Sequence, residues 1–262
     1  MQEFEPITSR DNRRLVNARK VRDGKTSDLI FIEGKRLAEE ALRSHVEIVE
    51  CFVSDDFADE SEVAAIKRQS ALVAVVSREL FGTIADTDSP QGIILIAKRP
   101  PMSPDFDAGD AQLPLAISLS EINNPSNLGA VLRSAEAAGV TRVLISKDSA
   151  DPFSPKALRA SMGSAFRLNI STGCEFADVL KYAAENRFRT VGADASGTTN
   201  YTDVDWKIPR ILVIGSEAHG LSAEQKASLD ELACIPMTNG VESLNLAVSV
   251  GVILFEAKRQ NS

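Results

Sequence analysis

The sequence is poor in the residues that build metal sites, disulfide frameworks and membrane spans. Its 262 residues include two histidines, His45 and His219, and three cysteines, Cys51, Cys174 and Cys234. The cysteines are odd in number, far apart and outside any CxxC pair, so they read as reduced thiols. Two isolated histidines leave a zinc site without a ligand set, and no metal is expected. No run approaches the roughly 18 uninterrupted apolar residues that a membrane helix requires. The opening MQEFEPITSRDNRR lacks the apolar centre of a secretory signal, and the expected location is the cytoplasm. Positive charge is also scarce: 29 Lys and Arg stand against 37 Asp and Glu, a formal net of -8. That balance argues against a nucleic-acid partner unless the cations are clustered.

They are clustered. Between Ser9 and Arg36 nine basic residues face four acidic ones, a local charge of +5. The candidates for phosphate contacts are Arg10, Arg13, Arg14, Arg19, Lys20 and Arg22. The plain alternative is a solvated helix face, the commoner meaning of a short basic run.

A hydrophobic content of 44% is enough to fill real cores, and the length suits two ordinary domains. The stretch KRPPMSPDFDAGDAQ at 98–112 has no apolar period and reads as a linker between domains at 1–97 and 113–262. Before it, short apolar runs such as LIFIE and GIILIA alternate with amphipathic stretches such as KRLAEEALRS, the pattern of a small α/β domain. After it, TRVLIS, RTVGAD and RILVIG are near-continuous apolar strands separated by helices. These predict a mostly parallel sheet covered on both faces.

Two glycine-bearing loops follow predicted strands. In Gly215–Ser222 the glycine spacing is like that of a phosphate-binding loop, but Leu221 stands where the lysine is required. Gly192–Gly197 lacks the GxGxxG dinucleotide spacing. Triphosphate chemistry and a standard dinucleotide site are both disfavoured, and each loop taken alone could be simple turn chemistry.

Three further segments occur in order: NPSNLGAVLR at 124–133, LVIGSEAHGL at 212–221 and IPMTNGVESLN at 235–245. In the first, Pro125 and Ser126 interrupt the chain after a strand, Asn127 can cap the following helix, and Arg133 falls about 120° round that helix from Asn127. In the second, Glu217 occupies a turn after a strand, or is a carboxylate near a helix start. In the third, Ile235 and Met237 form an apolar strand end, while Ser243 and Asn245 open the last helix, either as its N-cap and a first-turn polar residue or as groups that orient substrate or cofactor.

Together these segments resemble the SpoU/TrmH family of RNA methyltransferases in the SPOUT class, over about residues 115 to 259. The front half, through ITSRDNRRLVNARKVRDGK and FIEGKRLAEEAL, resembles the substrate-binding domain of the ribosomal-RNA members. The resemblance implies transfer of a methyl group from S-adenosylmethionine to a ribose 2'-hydroxyl, with ribosomal RNA the expected substrate. A transfer-RNA enzyme and a non-catalytic RNA-binding factor are the alternatives. It implies Arg133, Asn127, Glu217, Ser243 and Asn245 as catalytic residues, and Gly192, Ala193, Gly215, Ser216, Glu217, Ile235, Met237 and Leu244 as the cofactor site. His219 is incidental in that pattern.

The resemblance also implies a C-terminal trefoil knot formed by loops 192–200, 215–222 and 235–245, and a homodimer through the C-terminal domain. Arginine is a poor base, with a pKa above about 12. Arg133 is thus either activated by a bound phosphate or stabilises the developing alkoxide, the second being the better chemistry. Asn124 and Ser120 stand where acidic residues are common in the family, and Ala218 where glycine is, so altered loop anchoring or substrate choice is expected.

Overall fold

The structure, a computed structural model, describes residues 7–57, 64–66, 72–101 and 115–262, so most of the expected linker lies outside the described residues. The chain divides into two compact units. One comprises the described residues up to Pro101 together with Pro152–Phe166, and the other those from Leu115 to Asp151 and from Arg167 to Ser262.

The first unit contains α1 (Arg13–Arg22), β1 (Leu29–Glu33), α2 (Lys35–Arg43), β2 (Ile48–Ser54), β3 (Leu72–Val76), α3 (Arg78–Ile84) and β4 (Ile93–Lys98). Asn12 caps α1 by accepting from Arg14 N. The helix then turns Leu15, Ala18 and Val21, three residues apart, into a core with Phe31, Phe52, Phe81 and Ile94. Its sheet runs β1-β4-β2-β3, with β4 antiparallel to β1 and β2, and β3 parallel to β2. The carboxyl ends of β1, β2 and β3 therefore open at one edge, beside the start of β4. Glu33, 5% exposed, fixes that edge by accepting from Asp86 N at 2.7 Å and from the Thr87 hydroxyl.

Pro152–Phe166 differs from the sequence expectation, which places it in the C-terminal domain. Its helix α5 (Pro155–Ser161) packs against β1, and Arg159 reaches Asp86 at 2.7 Å. The Arg99 guanidinium lies 5.2 Å from the Phe153 ring centre. Burial of Phe153, Ala157 and Leu158 drives this docking.

The second unit is a parallel sheet of β5 (Leu115–Leu119), β6 (Arg142–Ile145), β7 (Ile170–Thr172), β8 (Arg189–Ala193), β9 (Thr199–Asn200), β10 (Arg210–Ile214) and β11 (Glu231–Cys234). The order is β7-β6-β5-β10-β8-β11-β9 and every pairing is parallel. β10 sits near the middle with all five residues buried, which is why RILVIG reads as continuous rather than alternating. The loops after β5, β8, β10 and β11 leave the sheet at its carboxyl edge, where α/β proteins place ligands.

Helices α4 (Pro125–Ala138), α6 (Phe176–Glu185), α7 (Ala223–Ser228) and α8 (Leu246–Gln260) complete the unit. Asn124, not Asn127, caps α4, because Pro125 fits the first helical position with its fixed φ and missing N–H. Gly139, at φ 88°, ends the helix. Asn245, not Ser243, caps α8 by accepting from Ala247 N and Val248 N. Leu128, Val131, Leu132 and Ala135 are the buried side of α4; Val250, Ile253, Leu254 and Ala257 are that of α8, and the two helices pack together. Each large side chain so buried contributes about 1.5–3 kcal/mol, and Leu254→Ala costs about 2–5 kcal/mol.

The end of α8 is tied to the segment after β9. Gln260 Nε2 donates to Val204 O at 3.1 Å, Trp206 N donates to Gln260 Oε1 at 3.1 Å, and Asn261 Nδ2 donates to Trp206 O at 2.8 Å. Hydrogen bonds from Arg259 and Gln260 pull the Glu256 carboxyl down to about 2.

Candidate active site

A cavity of about 590 Å³ opens at the carboxyl edge of the parallel sheet. Its walls are the loops after β8, β10 and β11, the loop into α4 and the first turns of α8. Ala193, Gly215, Ser216, Ile235, Met237 and Leu244, all expected at the cofactor, line it. Asn127, Glu217, Ser243 and Asn245, expected at the reaction, line it as well.

A single chain of hydrogen bonds joins three of these. Glu217 Oε2 accepts from Asn123 N at 3.1 Å and Asn124 N at 3.0 Å, while Oε1 accepts from Asn127 Nδ2 at 2.5 Å. Asn127 Oδ1 accepts from Asn245 Nδ2 at 3.2 Å, and Asn245 Oδ1 caps α8. A carboxylate only accepts, so Glu217 dictates which way the Asn127 amide faces, and Asn127 in turn orients Asn245. Asn127 is free for this work because Asn124 has taken over the cap of α4.

The loop after β10 requires its glycine. A Cβ on Gly215 would lie 2.2 Å from the Gly220 carbonyl carbon, across a hairpin closed by Ser216 N to Gly220 O at 3.0 Å and Gly220 N to Ser216 O at 2.9 Å. A side chain at 215 would have to open this hairpin, whose two glycines both line the cavity. With Ile214, Ile235, Met237 and Leu244 as apolar wall and Asp194, Ser216, Ser243 and Asn245 as polar groups, the residues fit S-adenosylmethionine, which has a flat aromatic base with a polar edge and a charged methionine end.

Asp194 escaped the sequence reading. Its carboxylate lines the cavity, with Oδ2 2.7 Å from Lys226 Nζ and Oδ1 accepting from Ser196 N at 2.9 Å and Ser196 Oγ at 2.5 Å. Burial pushes the acid up, but the Lys226 and Ser196 hydrogen bonds outweigh it and hold the carboxyl below its ordinary value. The available signal was a carboxylate inside a glycine-bounded loop directly after a strand.

Several expected residues stand elsewhere. Arg133 is exposed on α4 and does not line the cavity, as its position round the helix from Asn127 dictates. Gly192 also lies outside the lining: a Cβ there would meet Leu221, Leu229 and Leu232 side chains at 2.7–2.8 Å, so its glycine serves packing between sheet and helix. His219 is exposed and outside the lining. Ala218 is in the lining.

The basic segment of the first unit divides in two. Arg14 pairs with Glu50 and lies 5.8 Å from the Phe52 ring centre. Arg19 donates to Arg10 O at 2.7 Å, and Arg22 to Ala85 O at 3.0 Å and to Asp23 Oδ1 at 2.9 Å. These three hold α1 to its own unit. Arg10, Arg13 and Lys20 are exposed. Among the described residues no group of three or more His, Cys, Asp or Glu is placed to hold a metal ion.

Comparison with known proteins agrees with this geometry. Residues 114–255 match the SpoU rRNA Methylase family, and residues 12–95 match the MRM3-like substrate binding domain. An uncharacterized tRNA/rRNA methyltransferase of Mycolicibacterium vanbaalenii is 34% identical over 251 residues, covering 91% of this chain and 79% of its own. The AdoMet-bound rRNA methyltransferase of Sinorhizobium meliloti superposes with a TM-score of 0.85 at 28% identity, over 97% of each chain. A solved RNA 2'-O ribose methyltransferase superposes with a TM-score of 0.83 at 28% identity, over 98% of this chain and 99% of its own. The ordered motifs, the cavity they build and the matches over both halves have one meaning: the chain belongs to the SpoU rRNA methylase family and is an S-adenosylmethionine-dependent RNA methyltransferase.

Proposed function

We propose that the methyl acceptor is a ribose 2'-hydroxyl of ribosomal RNA and that the working enzyme is a homodimer. The observation that carries the reading is the Glu217–Asn127–Asn245 chain at the cavity, one carboxylate and two amides held in fixed orientation. Such groups suit positioning of a neutral hydroxyl. The first unit, matched to a substrate-binding domain, and the name of the Sinorhizobium meliloti rRNA methyltransferase support a ribosomal substrate, and the name of the solved RNA 2'-O ribose methyltransferase supports the ribose hydroxyl.

S-adenosylmethionine supplies an activated methyl group on a sulfonium. The protein's part is to hold the ribose oxygen in line and to handle its proton. Glu217 has both oxygens occupied by donors, so its role is to fix Asn127 and the entry to α4. Asn127 and Asn245 border the acceptor, and Ser243 presents a hydroxyl to the same space. Arg133 is the group assigned to stabilise the alkoxide, and no arginine among the described residues lines the cavity of its own subunit.

The dimer provides it. Val248 and Phe255, 51% and 49% exposed, lie seven residues apart on α8 and form an apolar stripe. α8 packs on α4, which carries the exposed Arg133. A two-fold contact through this helix pair places Arg133 of one copy at the other copy's cavity. The trefoil knot belongs to the same reading. It is supported by β10 inserted between β5 and β8 and by the return of α8 after β11 to α4 and to the segment at 202–206.

The test is transfer of tritiated methyl to ribosomal RNA from a strain lacking the gene, with the product mapped for 2'-O-methyl. Base methylation, or labelling of transfer RNA alone, would refute the proposal.

A further inference from the structure

The first unit has a cavity of its own, of about 460 Å³, distinct from the cofactor site and within the size range of small-ligand pockets. It opens where the carboxyl ends of β2 and β3 meet the loop into β4. Phe57 supplies a half-buried aromatic wall, and Gly92, at φ 82°, approaches so closely that a Cβ would lie 3.2 Å from the Phe57 ring. The rim holds Arg78, Asp88 and Gln91.

These walls are set before any ligand arrives. Ser54 N donates to Gly92 O at 2.9 Å, and Asp55 N to Val76 O at 2.9 Å. Arg78 N donates to Asp55 Oδ1 at 3.1 Å, and Arg78 Nη1 to Asp56 Oδ2 at 2.8 Å. Gln91 Oε1 accepts from Lys35 N at 3.0 Å, so Gln91 Nε2 is the end of the amide that can serve a ligand as donor. Asp88 is exposed and makes no ion pair or hydrogen bond among the described residues. The site therefore offers a stacking surface, an acceptor carboxylate, an amide donor and a guanidinium.

One nucleobase uses all of them. Guanine carries N–H donors on its Watson–Crick edge for a carboxylate, acceptors at O6 and N7 for an amide or guanidinium, and a flat face for an aromatic ring. Adenine, cytosine and uracil each lack either the paired donors or the adjacent acceptors. The geometry points to this cavity as a subsite for an unpaired guanine of the RNA substrate. The inference rests on the proposed RNA acceptor and names a feature that the acceptor must present away from the methylated ribose.

The test uses the full chain and free nucleotides. Amide chemical shifts are followed on titration with GMP, AMP, CMP and UMP, for the wild type and for Asp88→Asn. GMP is expected to move the signals of Gly82, Gln91 and Gly92 at lower concentration than the other three. Asp88→Asn is expected to weaken GMP by about tenfold, as removal of one specific base interaction does, and to leave S-adenosylmethionine affinity unchanged. Equal response to all four nucleotides, no response at these residues, or an unaltered GMP affinity in Asp88→Asn would overturn the assignment. Methyl transfer to ribosomal RNA by the wild type is measured beside it. Absence of transfer with guanine selectivity intact removes the proposed substrate and not the subsite; transfer without selectivity removes the subsite alone. Phe57→Leu, which keeps bulk but removes the ring face, should lower GMP affinity without changing the thermal midpoint by more than a few degrees.

Discussion

Asn127 and Glu217, ninety positions apart in the chain, meet amide to carboxylate at 2.5 Å, and this contact fixes the orientation of Asn127 and, through it, of Asn245 at the cavity. The amide nitrogen is committed to Glu217, so the amide oxygen must face Asn245.

Reversing that polarity should stop the reaction with little effect on the cofactor. Asn127→Asp sets one carboxylate against another and removes the donor. We expect methyl transfer to fall by about a hundredfold, roughly 2.7 kcal/mol of barrier. Calorimetric affinity for S-adenosylmethionine should change by less than about threefold. Retention of a tenth of wild-type turnover would contradict the positional role.

Arg133→Ala should be at least as damaging to turnover, again with cofactor binding intact. Mixing decides which copy uses the arginine. In the proposed dimer, Arg133→Ala and Glu217→Ala subunits should each be inactive alone, whereas a mixed dimer should keep one cavity that has both Glu217 and a neighbour's Arg133. Recovery of activity on subunit exchange is the expected result. Failure to recover in a verified mixed dimer means that each cavity uses its own arginine.

Gly215→Ala tests the close approach of backbone. The added methyl has no room beside Gly220, so the hairpin must open. Cofactor affinity should drop by more than about tenfold, over 1.4 kcal/mol. Circular dichroism should show the sheet unchanged. Normal affinity in this variant would remove the hairpin from the cofactor site.

The basic residues of α1 separate into two kinds. Arg13→Ala with Lys20→Ala should leave stability within about 0.5 kcal/mol. The same pair should weaken RNA binding and lower the log-log salt slope by about 0.7–0.9 for each phosphate that is no longer neutralised. Arg14→Ala should instead lower stability by about 1.5–3 kcal/mol, because Glu50 is left buried without its cation. An unchanged salt slope in the double variant would assign α1 to packing alone.

Glu256 gives a pH signature. Hydrogen bonds from Arg259 and Gln260 hold its carboxyl near 2, below the ordinary 4.5. A depressed folded value means that the stabilisation is complete above about pH 4.5 and is lost as pH falls through about 2. Glu256→Gln should therefore melt below wild type at pH 7, with the gap closing across that acid window. A gap that stays constant down to the lowest pH would show that the charge of Glu256 is not what holds this turn.

Much of this site could be read from the chain because its chemistry is local. The glycine at 215 and the polar residues at 127, 217, 243 and 245 sit in short segments after apolar strands, and strand ends are where ligand loops must be. What could not be read was competition between neighbours. Asn124 and Asn127 are equally good caps by composition, and only the presence of Pro125 at the first helical position settles which is used. Arg10 and Arg14 are the same residue type four positions apart, but Glu50, distant in sequence, claims one of them. Gly192 resembles a ligand-loop glycine until three leucines from other segments are seen to crowd it. The docking of Pro152–Phe166 on the first unit was hidden for a similar reason. Its apolar residues announce burial without naming the core they join.

Helix α8 makes one wall of the cavity depend on contacts made far from it. Leu246, Val250 and Ile253 are part of the cofactor cavity wall, and Gln260 and Asn261 fasten that wall to a segment made more than fifty residues earlier. A growing chain that has already completed its parallel sheet still lacks one side of the pocket. Cofactor capture is thus coupled to the docking of α8, and any change that loosens its ties to Trp206 reaches the pocket from a distance.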